Sequence, residues 1–543
     1  MLVCLIFKDL LLERAVGMSE VCVELVGKLV GEMLGLSKEE LSPSDNLISL
    51  GLGSLDIMRI AGLLTKNGCN VTFSELVSNP CMASWVNFAR ERSARSSSNG
   101  SPLLGSANYS KGDPFPITSV QHAYMVGRRD GQELGGTACH AYMEFECGSL
   151  DAAKLERAVE LLILRHPMLR ARFSDDGTAR IEDKVTWKGL TTYRVEGAGN
   201  PDSRIEGIRQ ELSHLRFDIE QDDLIDVRLT VVSPKRTIMH INVDLLAADV
   251  LSIQVLLEDL AHLYDGTDLA PIEIDFMEYA RRTGIGEDAR NEDREYWLNR
   301  IDNMPGGPSL PLKAPMESVK RSQFTRMEYL IDSKSWKNFT EKGRQIGVTQ
   351  SMGIAAVYAK ALSRWSEDKK FLLNLPLFSR KPIHPDVDKI VSDFTSLILL
   401  EADCANAISL LELASQMQGR FQQDVAHSSF GAVEVLRELS HRCPNDPKKA
   451  PVVFASNIGT QFISNKVEDV FGPLSKMLAE TPQVLLDHQI YDHKNGLLLA
   501  WDYVSELLDD KIAKQMFEAY CTAVRFYCEN DWSEPFPDLL PPS

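Results

Sequence analysis

The chain has 543 residues, 44% hydrophobic and 25% charged, with a formal net charge of −19. That length exceeds one compact core, so two or more domains are expected. The acidic balance argues against a nucleic-acid partner, which needs a Lys/Arg surplus to neutralise phosphates. No apolar run reaches the length of a membrane span. The leading "MLVCLIF" is broken by Lys8 and Asp9 and lacks a small-residue cleavage site, so it does not read as a signal peptide. The ten cysteines are scattered, with no C-x-x-C pair and no Cys/His cluster at zinc spacing. Reduced thiols, a cytoplasmic location, and neither a metal site nor a membrane partner are therefore expected.

From about residue 18 the apolar positions Val21, Leu25, Leu29 and Met33 recur at helical spacing. The segment "LSPSDN" is a loop, and Asp45–Leu64 ("DNLISLGLGSLDIMRIAGLL") follows. Within it Ser54 stands after a Gly-Leu-Gly turn and before a helical run containing Leu55 and Met58. A serine there sits at a helix N-terminus, where free backbone N–H groups and the helix dipole favour a phosphate. A plain N-cap is the competing role for the same residue. Two more short helical pieces, broken near Pro80, complete a small all-α four-helix bundle over residues 18–92. Residues 1–17 read as an N-terminal extension. Residues 93–113, rich in Ser and Gly, read as a flexible linker.

Residues 114–543 alternate strand-like and helix-like segments, which gives an α/β class. "CHAYMEFECG", "TIMHINVDLL" and "LLLAWDYV" read as strands; "DAAKLERAVELLILRHP", "DVLSIQVLLEDLAHLY" and "SMGIAAVYAKALSRWS" read as amphipathic helices. So many residues fit two lobes better than one core, here divided at about residue 290 into 114–290 and 291–543.

Along this region stand, in order, Phe115–Arg128 "FPITSVQHAYMVGR", Arg165–Leu169 "RHPML" and Asp244–Asp249 "DLLAAD". Pro308–Pro315 "PSLPLKAP", Asp393–Leu400 "DFTSLILL", Pro451–Gly459 "PVVFASNIG", Thr481–His488 "TPQVLLDH" and Trp501-Asp502 follow. The ordered series resembles the heterocyclization domains of nonribosomal peptide synthetases, relatives of condensation domains with a two-lobed, chloramphenicol-acetyltransferase-like fold. The segment around Ser54 resembles the aryl carrier that precedes such a domain in initiating modules of siderophore synthetases of the pyochelin/yersiniabactin type. Here Gly53 replaces the usual aspartate.

The resemblance implies a 4′-phosphopantetheine arm on Ser54, an aryl donor such as salicyl or 2,3-dihydroxybenzoyl, and a carrier-bound Cys, Ser or Thr acceptor. It implies amide formation followed by cyclodehydration to a thiazoline or oxazoline. The partners it implies are a phosphopantetheinyl transferase, an aryl-acid adenylating enzyme, and downstream adenylation and acceptor peptidyl carrier domains. Asp487 matches the family aspartate implicated in ring closure, with Gln483 orienting substrate. Asp244 and Asp249 form the family's D-x-x-x-x-D pair and are both catalytic candidates, Asp249 being expected also to pair structurally with Arg380. A family threonine linked to cyclodehydration is replaced by Ala455. Ser456 offers the next hydroxyl, but on a strand it points to the opposite face. Glu480 departs from the family's Gln or Arg. His140, His166, His240 and His488 lack nucleophile–base spacing and read as structural. Two rivals remain open: a condensation-only domain, favoured by Ala455, and a non-catalytic docking segment.

Overall fold

A computed structural model describes residues 23–37, 40–66, 69, 71, 73–95, 112–195, 200–284, 287–378, 380–381, 383–442 and 448–538. The expected extension 1–17 and most of the expected linker lie outside them.

The N-terminal region is the expected four-helix bundle: α1 (23–34), α2 (Ser54–Lys66), α3 (Phe73–Ser78) and α4 (Met82–Arg95). Val26, Val30, Ile57, Ile60, Leu64 and Trp85 fill its core. The last helix continues to Arg95, three residues into the stretch read as linker.

Among the described residues after 112 the strands are β1 (Phe115–Pro116), β2 (His140–Cys147), β3 (Ala171–Ser174), β4 (Thr178–Ile181), β5 (Thr191–Arg194), β6 (Ile225–Ser233), β7 (Arg236–Asp244), β8 (Phe324–Asp332), β9 (Lys370–Phe378), β10 (Thr395–Asp403), β11 (Val452–Gln461), β12 (Leu474–Glu480), β13 (Leu486–His493) and β14 (Gly496–Val504). They make a small β1–β4–β3 sheet and two mixed sheets, ordered β12–β2–β7–β6–β5 and β10–β9–β11–β13–β14–β8. Each mixed sheet is the floor of one lobe. The central β9, β11 and β13 run parallel.

The division at residue 290 misses one strand. β12 lies far down the chain, yet it pairs with β2 from Leu474↔Phe145 to Glu480↔His140 and completes the first lobe's sheet. The chain thus crosses between lobes on either side of β12, and the segment 481–485 returns it to β13 beside the lobe junction.

The helical bundle packs on the second lobe. Ser78 Oγ donates to the Gln422 carbonyl at 3.1 Å, and Arg344 Nη1 reaches the Leu50 carbonyl at 3.4 Å. Gly347 permits this approach: its φ is +71°, and a Cβ there would stand 3.2 Å from Asn46 Nδ2.

Cys81, Cys139, Cys147, Cys404, Cys521 and Cys528 are free thiols, whereas Cys69 is disulfide-bonded, against the expectation that all are reduced. No helix among the described residues is long and apolar enough to cross a membrane.

Candidate active site

Ser54 is the first residue of α2. The turn before it contains Gly51 at φ +119°, and the Gly53 N–H donates to Asp56 Oδ2 at 2.9 Å. First-turn N–H groups of a helix have no intrahelical acceptor, so this terminus fits a phosphodiester. Asp56 already engages the N–H of Gly53, the residue that departs from the family's aspartate.

Between the two lobes lies a cavity of about 550 Å³. Strand alternation decides which residues reach it. On β11 the odd positions Val453, Ala455 and Asn457 line the wall; on β13 Asp487, Gln489 and Tyr491 do so; Asn374 represents β9. Register pairs Val453 with Asp487, Ala455 with Gln489 and Asn457 with Tyr491, which makes one continuous surface. Tyr124, on the helix Ser119–Gly127 (α5), and the segments around Asp249 and Asp393 form the opposing side. α5 is fixed by a capping box in which the Gln121 N–H donates to Thr118 Oγ1 and the Thr118 N–H to Gln121 Oε1.

Asp487 is buried. Its Oδ2 accepts from Gln489 Nε2 at 2.6 Å, and its Oδ1 has no hydrogen-bond partner among the described residues. Burial raises its pKa to about 6, opposed by the Gln489 bond and the Arg326 charge. Arg326 in turn pairs with Asp502 at 2.9 Å and donates to Gln489 Oε1 at 2.7 Å. A carboxyl poised near neutrality with one uncommitted oxygen can take or give a proton.

Gln483 also lines the cavity, at its exposed rim. It has φ +64°, and its N–H donates to the carbonyl of Leu134, itself at φ +51°, at 2.7 Å. Two non-glycine residues in the left-handed region, joined by a hydrogen bond, hold the 481–485 crossover in one shape.

Asp249 caps the helix Val250–Tyr264, accepting the Ser252 N–H at 2.7 Å, and pairs with Arg380 Nη2 at 3.1 Å. The expected structural pair is therefore present, at the cavity edge. Two further candidates, Asp244 and Ser456, lie off the cavity wall, Ser456 as strand alternation leads one to expect. Asp244 does not line the cavity: it is buried behind the wall in a 2.6 Å ion pair with Arg128, and its Oδ1 accepts the Leu246 N–H. Ser456 faces away on β11, where its hydroxyl meets that of Ser351 at 2.7 Å. Period-two alternation puts Ala455, not Ser456, on the cavity side.

The four histidines stand apart from the cavity wall. His488 joins the Ala500 carbonyl and Tyr520 hydroxyl in an aromatic cluster, His240 lies between Tyr142 and Thr230, and His166 bonds Asp259. Glu480 is buried against His214 at 2.5 Å. Among the described residues, no group of three or more His, Cys, Asp or Glu is arranged to hold a metal ion.

Residues 115–529 match the family model "Condensation domain". The chain belongs to the condensation-domain family. Residues 24–89, ahead of this condensation domain, match the phosphopantetheine attachment site family, which implies a covalently bound 4′-phosphopantetheine. The phenyloxazoline synthase MbtB of Mycobacterium sp. (strain MCS) is 35% identical over 493 residues, covering 90% of this chain and 42% of that protein. Pyochelin synthetase PchE of Pseudomonas aeruginosa (strain PAO1) is 34% identical, covering 95% of this chain and 36% of that protein. The chain thus spans less than half the length of these curated relatives. The EpoB cyclization-docking bidomain from Sorangium cellulosum superimposes with a TM-score of 0.71 at 30% identity, covering 78% of this chain and 87% of that structure.

Asn374, Arg326 and Gln489 escaped the sequence reading. Gln489 had a usable signal, since it stands two residues after Asp487 and so shares its strand face. Asn374 and Arg326 carry none, because their strands reach Asp487 only through sheet pairing.

Proposed function

We propose that this chain is the donor carrier and heterocyclization part of a nonribosomal peptide synthetase, forming an amide with a carrier-bound Cys, Ser or Thr and then closing a thiazoline or oxazoline. Ser54 bears the 4′-phosphopantetheine, whose thiol holds the acyl group as a thioester. The observation that carries the reading is Asp487, a buried carboxyl on the cavity wall with one oxygen fixed by Gln489 and the other uncommitted. Names given to relatives, a phenyloxazoline synthase and a pyochelin synthetase, favour an aryl donor and a siderophore product.

Amide formation needs the two reactants held in line, which the inter-lobe cavity supplies. Ring closure needs a proton acceptor for the attacking thiol or hydroxyl, the role assigned to Asp487. Gln483 orients substrate at the rim. Asp249 and Arg380 act as structural supports, and Asp244 with Arg128 braces the wall. The carrier is assigned to residues 18–92, the linker to 93–113 and the cyclizing domain to 114–543. A phosphopantetheinyl transferase, an aryl-acid adenylating enzyme, and downstream adenylation and acceptor carrier domains complete the system, in the cytoplasm.

Intact mass after incubation with coenzyme A, a phosphopantetheinyl transferase, an aryl acid and its adenylating enzyme tests the donor side. A gain in the wild type that disappears in Ser54→Ala is expected; an equal gain in both overturns the assignment. Addition of a Cys-loaded acceptor carrier then tests ring closure, the product being lighter than the linear amide by one water. A product retaining the water supports the condensation-only reading, which Ala455 on the cavity face favours.

A further inference from the structure

Asp393 lies in the turn between β9 and β10 and lines the same cavity as Asp487. It is 1% exposed; its Oδ1 accepts the Thr395 N–H at 3.0 Å, and its Oδ2 has no hydrogen-bond partner among the described residues. A buried carboxyl without a cation is expensive and uncommon unless its proton is retained or used.

The neighbouring residues are clamped with unusual thoroughness. The Asp249 N–H donates to the Ser392 carbonyl at 3.1 Å, and the Phe394 N–H donates to Asp249 Oδ2 at 3.3 Å. Ser252 Oγ donates to the Ser392 carbonyl at 2.7 Å and accepts the Ser392 N–H at 3.1 Å. Arg380, bonded to Asp249 Oδ1 and Ser252 Oγ, lies over the Phe394 ring with its guanidinium 4.3 Å from the ring centre. Asp249, Ser252 and Arg380 therefore grip residues 392 and 394 and fix the residue between them.

We propose that Asp393 is the second proton-transfer group of the cavity, working with Asp487, and that Asp249 is a positioning residue acting through it. The inference rests on the cyclodehydration reading above. In the first step the thiol or hydroxyl attacks the amide carbon, its proton passes to Asp487, and the carbonyl oxygen takes the proton of Asp393. In the second step Asp487 returns its proton to that oxygen, the C–O bond breaks, and water leaves. The amide N–H proton passes to Asp393 as the C=N bond forms. One water is lost, nothing is oxidised or reduced, and both carboxyls recover their starting states.

The surroundings suit the starting proton on Asp393. Burial, with the nearby Asp249 charge, raises its pKa to about 7, opposed by the Thr395 hydrogen bonds. Tyr124 of α5 and the Cys139 thiol feel the Asp393 charge and are both held neutral by burial; Asp487 acts on Tyr124 as well, and Arg380 is paired with Asp249.

The test supplies the full chain with a preformed linear aroyl-cysteinyl thioester of N-acetylcysteamine and measures ring closure by product mass. The wild-type rate is expected to fall above pH of about 7, as Asp393 loses its proton. Asp393→Asn is expected to close the ring about a hundredfold more slowly, the scale of a lost acid–base group, without that limb. Asp393→Glu is expected to restore part of the rate. Ring closure by Asp393→Asn at the wild-type rate, or a wild-type rate flat above pH 7, overturns the role. If the Asn variant does not fold, the Glu variant and the wild-type pH profile decide the matter. A wild type that forms amide from loaded carriers but no ring at any pH overturns the cyclization reading itself, and this role with it.

Discussion

Gln489 donates to Asp487 Oδ2 at 2.6 Å while its own Oε1 accepts from Arg326 Nη2 at 2.7 Å and from the Tyr491 hydroxyl at 2.5 Å. One amide side chain, fixed from the far side by a cation and a phenol, thus determines which Asp487 oxygen is left uncommitted. The arrangement favours the ionised carboxylate, and burial opposes it.

Replacing Gln489 with Met removes the donor while keeping volume. Asp487 then holds its proton to higher pH, because a hydrogen bond to a charged group is worth about 1.5–3 kcal/mol. The rising limb of the ring-closure pH profile is expected to move up by about one unit or more at 1.36 kcal/mol per unit. An unmoved limb separates Gln489 from the chemistry.

Asp487→Asn is expected to stabilise the fold at high pH. The folded-state pKa of about 6 lies above the ordinary carboxylate value of 3.8. Below 3.8 both folded and unfolded chains hold the proton, and the group contributes nothing. As pH rises through about 6 the unfolded chain has already released its proton and the buried carboxyl resists, so stability is lost. The variant should exceed wild type by on the order of 3 kcal/mol at pH 8 and match it near pH 3.5. Urea unfolding at the two pH values measures this.

Ala455→Thr places a hydroxyl on the cavity face opposite Gln489 in the sheet register. Ring closure from the linear amide is expected to accelerate by about tenfold, short of the roughly hundredfold or more that a full acid–base group contributes. The same substitution at Ser456 should leave the ring-to-amide ratio unchanged, since that position faces Ser351.

Arg380→Met leaves Asp249 buried without its cation. Breaking a buried pair from one side costs about 3–5 kcal/mol, whereas replacing both members is much milder. The double variant Arg380→Met with Asp249→Asn is expected to recover most of the loss in chemical denaturation.

The sequence was sufficient for the classes of structure. Periodicity marked the four carrier helices, and the helices Ala152–Arg165, Val250–Tyr264 and Gln350–Trp365 fall where apolar residues recur at helical spacing. The ordered motifs determined the family. Alternation alone separated Ala455 from Ser456, because the side-chain period of a strand is a local property of the backbone. The Asp249–Arg380 pair was legible through the resemblance.

The other partnerships across the fold were not legible. Arg128 and Asp244 both stand in recognised motifs, yet only packing shows that they neutralise each other, which removes Asp244 from the cavity. β12 belongs to the first lobe although the chain reaches it late, because hydrogen bonding to β2 and not chain order assigns a strand to its sheet. Asp393 was simply one acid in a motif; its burial, its unpaired oxygen and the clamp on its neighbours arise from segments more than a hundred residues away. Sequence by itself determined which side chains are present and how each element faces. The tertiary structure alone decided which carboxyls are paired and which remain free, because desolvation and hydrogen bonding depend on neighbours that the chain brings together only on folding.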